Sequence, residues 1–169
     1  MMIPVQRNFL ELKDLKNLKT NSINKNKYLV KKIKPDFQLN KFFYKQVGKK
    51  HRWIDRLSWT DEKWMNYISN KNLETYIICE SEELVGFFEL LYNPELQETE
   101  ISYFGLLEEY IGKGIGGYAL SEAIRKSFEK NIKRVWLHTC TLDHPNALKN
   151  YIARGMTVFK KENINILDS

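Results

Sequence analysis

Residues 73–79, 84–92 and 99–107 are three runs of aliphatic, aromatic and β-branched residues parted by short polar turns. That pattern predicts consecutive strands of an antiparallel meander. The period changes on either side. Over residues 37–47 the apolar positions recur at helical spacing, which brings Phe37, Phe43, Tyr44 and Val47 to one face ahead of Gly48. Thr60 or Asp61 can cap a second helix over 62–69. A third helical pattern covers 115–130, and residues 134–140 read as a buried strand. Residues 146–154 read as a helix stopped by Gly155, and residues 156–161 alternate again as a strand. Upstream, 7–12 and 28–33 are short strand candidates, with a brief helix around Leu15 and Leu18 and a polar loop over 21–27. No repeat or internal boundary interrupts this order. It describes one domain over residues 1–169, in which 1–26 reads as an N-terminal extension packed on the rest.

Composition narrows the class. A chain of 169 residues with 43% hydrophobic content can bury a core. No apolar run approaches membrane-spanning length, and the first twenty residues carry scattered charge where a signal peptide needs an unbroken apolar stretch. A cytoplasmic location away from membranes is the expectation. Cys79 and Cys140 both fall in strand-like segments and are expected to be buried free thiols. Neither CxxC nor His/Cys ligand spacing occurs, so no metal is expected. The net charge of +6 is carried partly by lysine clusters at 25–27, 31–34 and 49–52. No nucleic-acid motif accompanies them, so they read mostly as solvated surface and nucleic acid is not the expected partner. Part of the excess charge would suit a polyanionic small ligand.

Such a ligand has an obvious seat. Gly112, Gly114, Gly116 and Gly117 lie between the strand ending at 107 and the helix starting near 115. Glycine adopts backbone angles closed to other residues and has no side chain to hold a ligand off. A turn of this kind opening a helix aims several N–H groups at one point, where the helix dipole also favours negative charge. Lys113 adds a full positive charge. The run matches GxGxxG literally, but the following strand, 134–140, ends without the acid that a dinucleotide site requires. A nucleoside-triphosphate loop is excluded as well, because Gly114 follows Lys113 in place of Ser or Thr. A glycine turn without a ligand would need four glycines that each cost stability without return. Phosphate binding leads.

Two motifs in order then give the chain its resemblance. Gly114 and Gly116 fit the coenzyme A motif of the GNAT acyltransferase superfamily, in which a Gln or Arg precedes the spaced glycines; Ile111 holds that first position here. Downstream, Ala147, Tyr151 and Gly155 fit the family's Asn-x-x-Ala-x-x-x-Tyr and Gly-Phe segment, with His144 in the Asn position and Met156 in that of Phe. The chain resembles that superfamily over most of its length. The resemblance implies an α/β (α+β) fold, with a mixed, mostly antiparallel central sheet of six or seven strands flanked by about four helices. It implies acetyl-CoA as the acyl donor, with no metal. Residues 111–117 would hold the donor's diphosphate: Ile111, Gly112, Lys113, Gly114, Ile115, Gly116 and Gly117. Main-chain groups of Phe104 and Leu106 would meet its pantetheine arm, and His144 would be a further contact.

The chemistry implied is N-acetylation. An amine must lose a proton to attack a thioester, and the departing thiolate must gain one. Glu100 is the candidate base; period-two alternation puts it on one face with Ser102, Phe104 and Leu106. The alternative is a plain exposed glutamate at a strand start, like Glu98, and Glu89 is a more distant candidate. Tyr151 is the candidate acid, since a phenol stays protonated near neutral pH; alternatively its ring packs on the sheet and binds the donor without proton transfer. His138 reads as core or pocket lining. Trp53, Trp59 and Trp64 stand close together among Arg52, Asp55 and Arg56. They either anchor the helices onto the sheet or wall the acceptor pocket, for which Trp53, Arg56 and Trp59 are the candidates. The acceptor would be a small-molecule or peptide amine, and a homodimer stays open. A non-catalytic acyl-CoA sensor and a ribosomal or protein N-terminal acetyltransferase are the other readings.

Overall fold

Three hairpin-linked strands, β3 (Leu73–Glu80), β4 (Glu83–Asn93) and β5 (Glu98–Leu106), form the meander in the computed structural model, which describes residues 1–21, 23 and 26–167. Around them the chain runs β1 (Met2–Leu12), β2 (Tyr28–Lys32), α1 (Phe37–Gly48) and α2 (Asp61–Ile68) before the meander. After it come α3 (Ile115–Ser127), β6 (Arg134–Cys140), α4 (Ala147–Ala153) and β7 (Thr157–Leu167). The seven strands make one sheet in the order β2-β3-β4-β5-β6-β1-β7. Every neighbouring pair is antiparallel except β5 and β6.

β1 is longer than the 7–12 run suggests and lies inside the sheet, pairing with β6 from Arg7 to Leu12 and with β7 from Met2 to Glu11. Residues 2–12 are therefore an internal strand of the sheet, between β6 and β7. β7 likewise extends to Leu167, beyond the alternating 156–161 stretch. Lys25, one of the clustered lysines, lies outside the described residues. Others in those clusters sit beside acids, Lys27 at 3.0 Å from Glu80 and Lys32 at 3.3 Å from Glu74. Among the described residues no helix is long and apolar enough to cross a membrane.

The core fills both faces of the meander. Phe43 of α1 stacks on Phe87 at 4.9 Å on one face, while Phe88 stacks on Tyr76 at 4.9 Å on the other, the side taken by α3. Asp36 caps α1 by accepting from the Gln38 and Leu39 N–H groups, and Thr60 caps α2 through the Lys63 N–H.

One irregularity decides what faces the site. The β4–β5 register passes from Glu89↔Tyr103 to Leu90↔Ile101, leaving Ser102 as an extra residue. Such a bulge reverses the alternation beyond it. Glu100, opposite Leu91, thus shares a face with Glu89 and Tyr103, whereas Phe104 and Leu106 point to the α3 side. Unbroken alternation, which would join Glu100 to Phe104 and Leu106, does not hold.

Candidate active site

β5 and β6 pair only at Glu98↔Arg134, Thr99↔Val135 and Glu100↔Trp136, and then diverge. Beyond Glu100 the β5 edge has no strand partner, so its main-chain N–H and C=O groups are open to a ligand. The gap enlarges into a cavity of about 810 Å³ that receives side chains from both faces of the sheet. Residues 100–106, the glycine loop, the β6–α4 connection and the α1–α2 connection all line it.

The glycine loop forms one end. Gly112 and Gly114 have φ of +83° and +79°, the left-handed region where a side chain would be strained. Gly114 starts α3 with no side-chain cap, leaving the first helical N–H groups for an outside acceptor. Space for one exists: a Cβ on Gly112 would meet nothing within 4 Å, and one on Gly114 only Ile23 Cγ2 at 4.0 Å. This open, donor-lined concavity suits a diphosphate. Not all of the loop faces it. Ile115 is fully buried in the core, so only its main chain is available. Lys113 does not line the cavity; its ammonium lies 5.4 Å from the Tyr110 ring centre.

Phe104, Leu106, Ile111, His144 and Tyr151 all line the cavity. His144 Nδ1 accepts the Asn146 N–H at 3.1 Å and so shapes the entry to α4. Asp143 does not cap that helix: it accepts from Thr139 Oγ1, and from the Cys140 N–H at 2.9 Å. Tyr151 is 8% exposed, and its hydroxyl makes no hydrogen bond to a described residue. Burial, with Asp143 adding to it, pushes that phenol above its ordinary pKa and keeps it protonated.

Across the gap, Glu100 lines the cavity and also lacks a hydrogen-bond partner among the described residues. Burial raises its pKa, against the pull of the Arg56 charge. Glu89 is unsuited to the same role. It is fully buried and accepts from Asn40 at 2.8 Å, Tyr67 at 2.6 Å and Arg56 at 3.3 Å. Trp53 and Arg56 line the cavity, but Trp59 does not; it packs on Trp64 and Tyr67 at 5.0 and 5.4 Å. Cys140 is half-buried and opens onto the cavity, a departure from the buried thiol expected of a core strand. Burial and Asp143 raise its pKa, which opposes thiolate formation. Among the described residues no group of three His, Cys, Asp or Glu could hold a metal ion.

Residues 35–156 match the Acetyltransferase (GNAT) family. The chain belongs to that family. No curated protein matches it in sequence. Solved structures share its fold. A GCN5-related N-acetyltransferase from Sphaerobacter thermophilus aligns with a TM-score of 0.72 at 15% identity, covering 97% of this chain and 52% of that one. Its counterpart from Kribbella flavida gives 0.68 at 14%, covering 97% and 58%. An aminoglycoside acetyltransferase from an uncultured soil metagenomic sample gives 0.63 at 13%, covering 77% and 88%. The chain thus spans little more than half the length of the first two structures.

Several residues of this GNAT cavity carry no signal in the linear pattern. Tyr103 reaches it from the face it shares with Glu89, and it donates to Asp55 Oδ2 at 3.0 Å. Val5 and Arg7 reach it because β1 inserts beside β6. Asn150 donates to the Gly116 carbonyl at 3.1 Å and ties α4 to the start of α3. Its place one helical turn after Asn146 could have marked it as sharing a face with that residue.

Proposed function

We propose that the protein is an N-acetyltransferase that moves an acetyl group from acetyl-CoA to a primary amine. One observation carries this reading: the uncapped glycine cradle opens into the same gap where Tyr151 and Glu100 stand without hydrogen-bond partners among the described residues. A donor held by its diphosphate on residues 112–116 and by main-chain groups of Phe104 and Leu106 would bring its thioester to the widening of β5 and β6. His144 would border it.

The amine enters from the face carrying Trp53, Arg56 and Glu100. Glu100 takes its proton, directly or through water, and the nitrogen adds to the thioester carbonyl. As the carbon–sulfur bond breaks, the Tyr151 hydroxyl gives its proton to the sulfur, and the second proton that the nitrogen sheds on becoming an amide restores the phenol. The products are an N-acetylated amine and free coenzyme A. Holding the two reactants together in a water-poor gap supplies a further part of the acceleration. The raised pKa of Cys140 favours direct transfer over an acetyl-cysteine intermediate.

Isothermal titration with acetyl-CoA is the first test; absence of both heat and thermal shift at millimolar donor rejects the reading. Thiol release across polyamines, amino acids, peptides and aminoglycosides then identifies the acceptor class. Donor binding without thiol release from any amine identifies an acyl-CoA sensor instead.

A further inference from the structure

The glycine run does more than open a cradle. Gly117, unlike Gly112 and Gly114, has no left-handed backbone, so the absence of a side chain there serves space and not conformation. What fills that space is Arg154. A Cβ on Gly117 would collide with Arg154 Nη1 and stand 2.5 Å from Asn21 Nδ2. The guanidinium therefore lies where the third residue of α3 would carry its side chain, directly behind Gly117, which lines the cavity while Arg154 does not.

The main chain of Arg154 is anchored at the end of α4. Its carbonyl accepts the Lys19 N–H at 2.8 Å, its N–H donates to Asn150 at 3.0 Å, and Asn150 is itself bonded to Gly116. Yet Nε and Nη1 are both buried without a hydrogen-bond partner, and no carboxylate pairs with the group among the described residues. Two buried guanidinium donors without an acceptor are costly, and this cost falls beside the start of α3, which has no side-chain cap. The loop itself sends no cation inward: Ile111 is apolar, and Lys113 turns onto Tyr110.

We propose that Arg154 is a ligand of the donor's diphosphate, reaching it through the opening left at Gly117. The inference rests on the acetyl-CoA reading and adds to it a charge that enters from the end of α4. The two unfilled N–H groups would donate to phosphate oxygens, the planar fork being matched to that geometry. Gly117 and Arg154 would then work as a pair, a small residue on one helix admitting a long one from the next.

Arg154→Met keeps the aliphatic packing and removes the charge. Acetyl-CoA affinity, by isothermal titration, should fall roughly 10- to 100-fold. The melting temperature of the ligand-free protein should hold or rise, because an unpaired buried charge has gone. KM for S-acetylpantetheine, which lacks the diphosphate, should not change, and 3′-dephospho-CoA should show the same loss as coenzyme A. Unchanged acetyl-CoA affinity overturns the assignment, as does a loss that disappears with 3′-dephospho-CoA. A lowered ligand-free melting temperature with equal losses for acetyl-CoA and S-acetylpantetheine also overturns it, in favour of a structural role. Wild-type protein that binds no acetyl-CoA overturns both this assignment and the reading beneath it, whereas binding that Arg154→Met leaves intact overturns this one alone.

Discussion

Arg56 Nη1 stands 3.3 Å from Glu89 Oε2, and the guanidinium carbon lies 4.1 Å from the centres of both the Tyr67 and Tyr103 rings. The side chains of the pair are only 7% and 1% exposed. Trp59, Trp64 and Tyr44 complete the aromatic enclosure at 4.8, 5.5 and 5.7 Å. The ion pair thus fastens the α1–α2 connection, which walls the cavity, to the middle of the sheet. Removing one partner strands the other charge in an apolar box. Glu89→Leu should cost about 3–5 kcal/mol, measured by urea unfolding. The double variant Glu89→Leu/Arg56→Met should recover most of that loss, since neither charge is then left alone.

Glu100 makes a pH-dependent prediction of its own. Burial raises its pKa above the ordinary carboxylate value of 4.5. The base form should therefore appear at higher pH than for an ordinary carboxylate, and kcat/KM should rise with pH through that displaced value. Stability runs the other way. Between the unfolded and folded pKa values the folded chain binds more protons, so Glu100 contributes stability at low pH and loses it as pH rises through its folded pKa. Glu100→Gln should lower kcat by about a hundredfold or more and melt higher than wild type at neutral pH, with the gain vanishing in acid. A flat difference in melting temperature across pH would contradict this.

Tyr151 separates binding from chemistry. Its phenol is protonated well past neutral pH because burial raises its pKa. Tyr151→Phe retains the ring and its packing but removes the proton. Turnover should drop roughly 10- to 100-fold, with acetyl-CoA affinity held within about twofold. Rapid-quench measurement of the first turnover, alongside titration, tests both parts. Wild-type activity should also not decline at high pH until beyond the ordinary tyrosine range.

Local pattern made the meander, the glycine loop and the Ala147–Tyr151–Gly155 segment readable, because each depends on neighbours close in the chain. Three other features depend on distant ones. The Ser102 bulge arises from a mismatch with β4, so simple alternation placed Glu100 on the wrong face relative to Phe104. The interior place of β1 depends on pairing with Arg134–Cys140 and Thr157–Leu167, more than a hundred residues onward, and this brings Arg7 to the cavity. Lys113 looked like the loop's cation by position, but the turn sends it onto Tyr110. Charge at a glycine turn is legible in sequence; the direction in which it points is not.

The clustered tryptophans offer the last prediction, because packing and pocket readings hold for different members. Trp53 lines the cavity, and its ring lies 4.8 Å from that of Tyr103. Gly48 makes its position possible, since a Cβ there would collide with the Trp53 side chain. Trp59 instead covers the guanidinium of Arg56 at 4.8 Å and does not line the cavity. Trp53→Leu should raise KM for the acceptor severalfold while leaving acetyl-CoA affinity intact. Trp59→Leu should lower stability by about 1–3 kcal/mol, through lost ring contacts and weakened cation–π attraction, with acceptor KM little changed. Steady-state kinetics and urea unfolding on both variants decide it. Equal effects on KM would return Trp59 to the pocket wall, whereas a purely thermodynamic effect of Trp53→Leu would remove Trp53 from it.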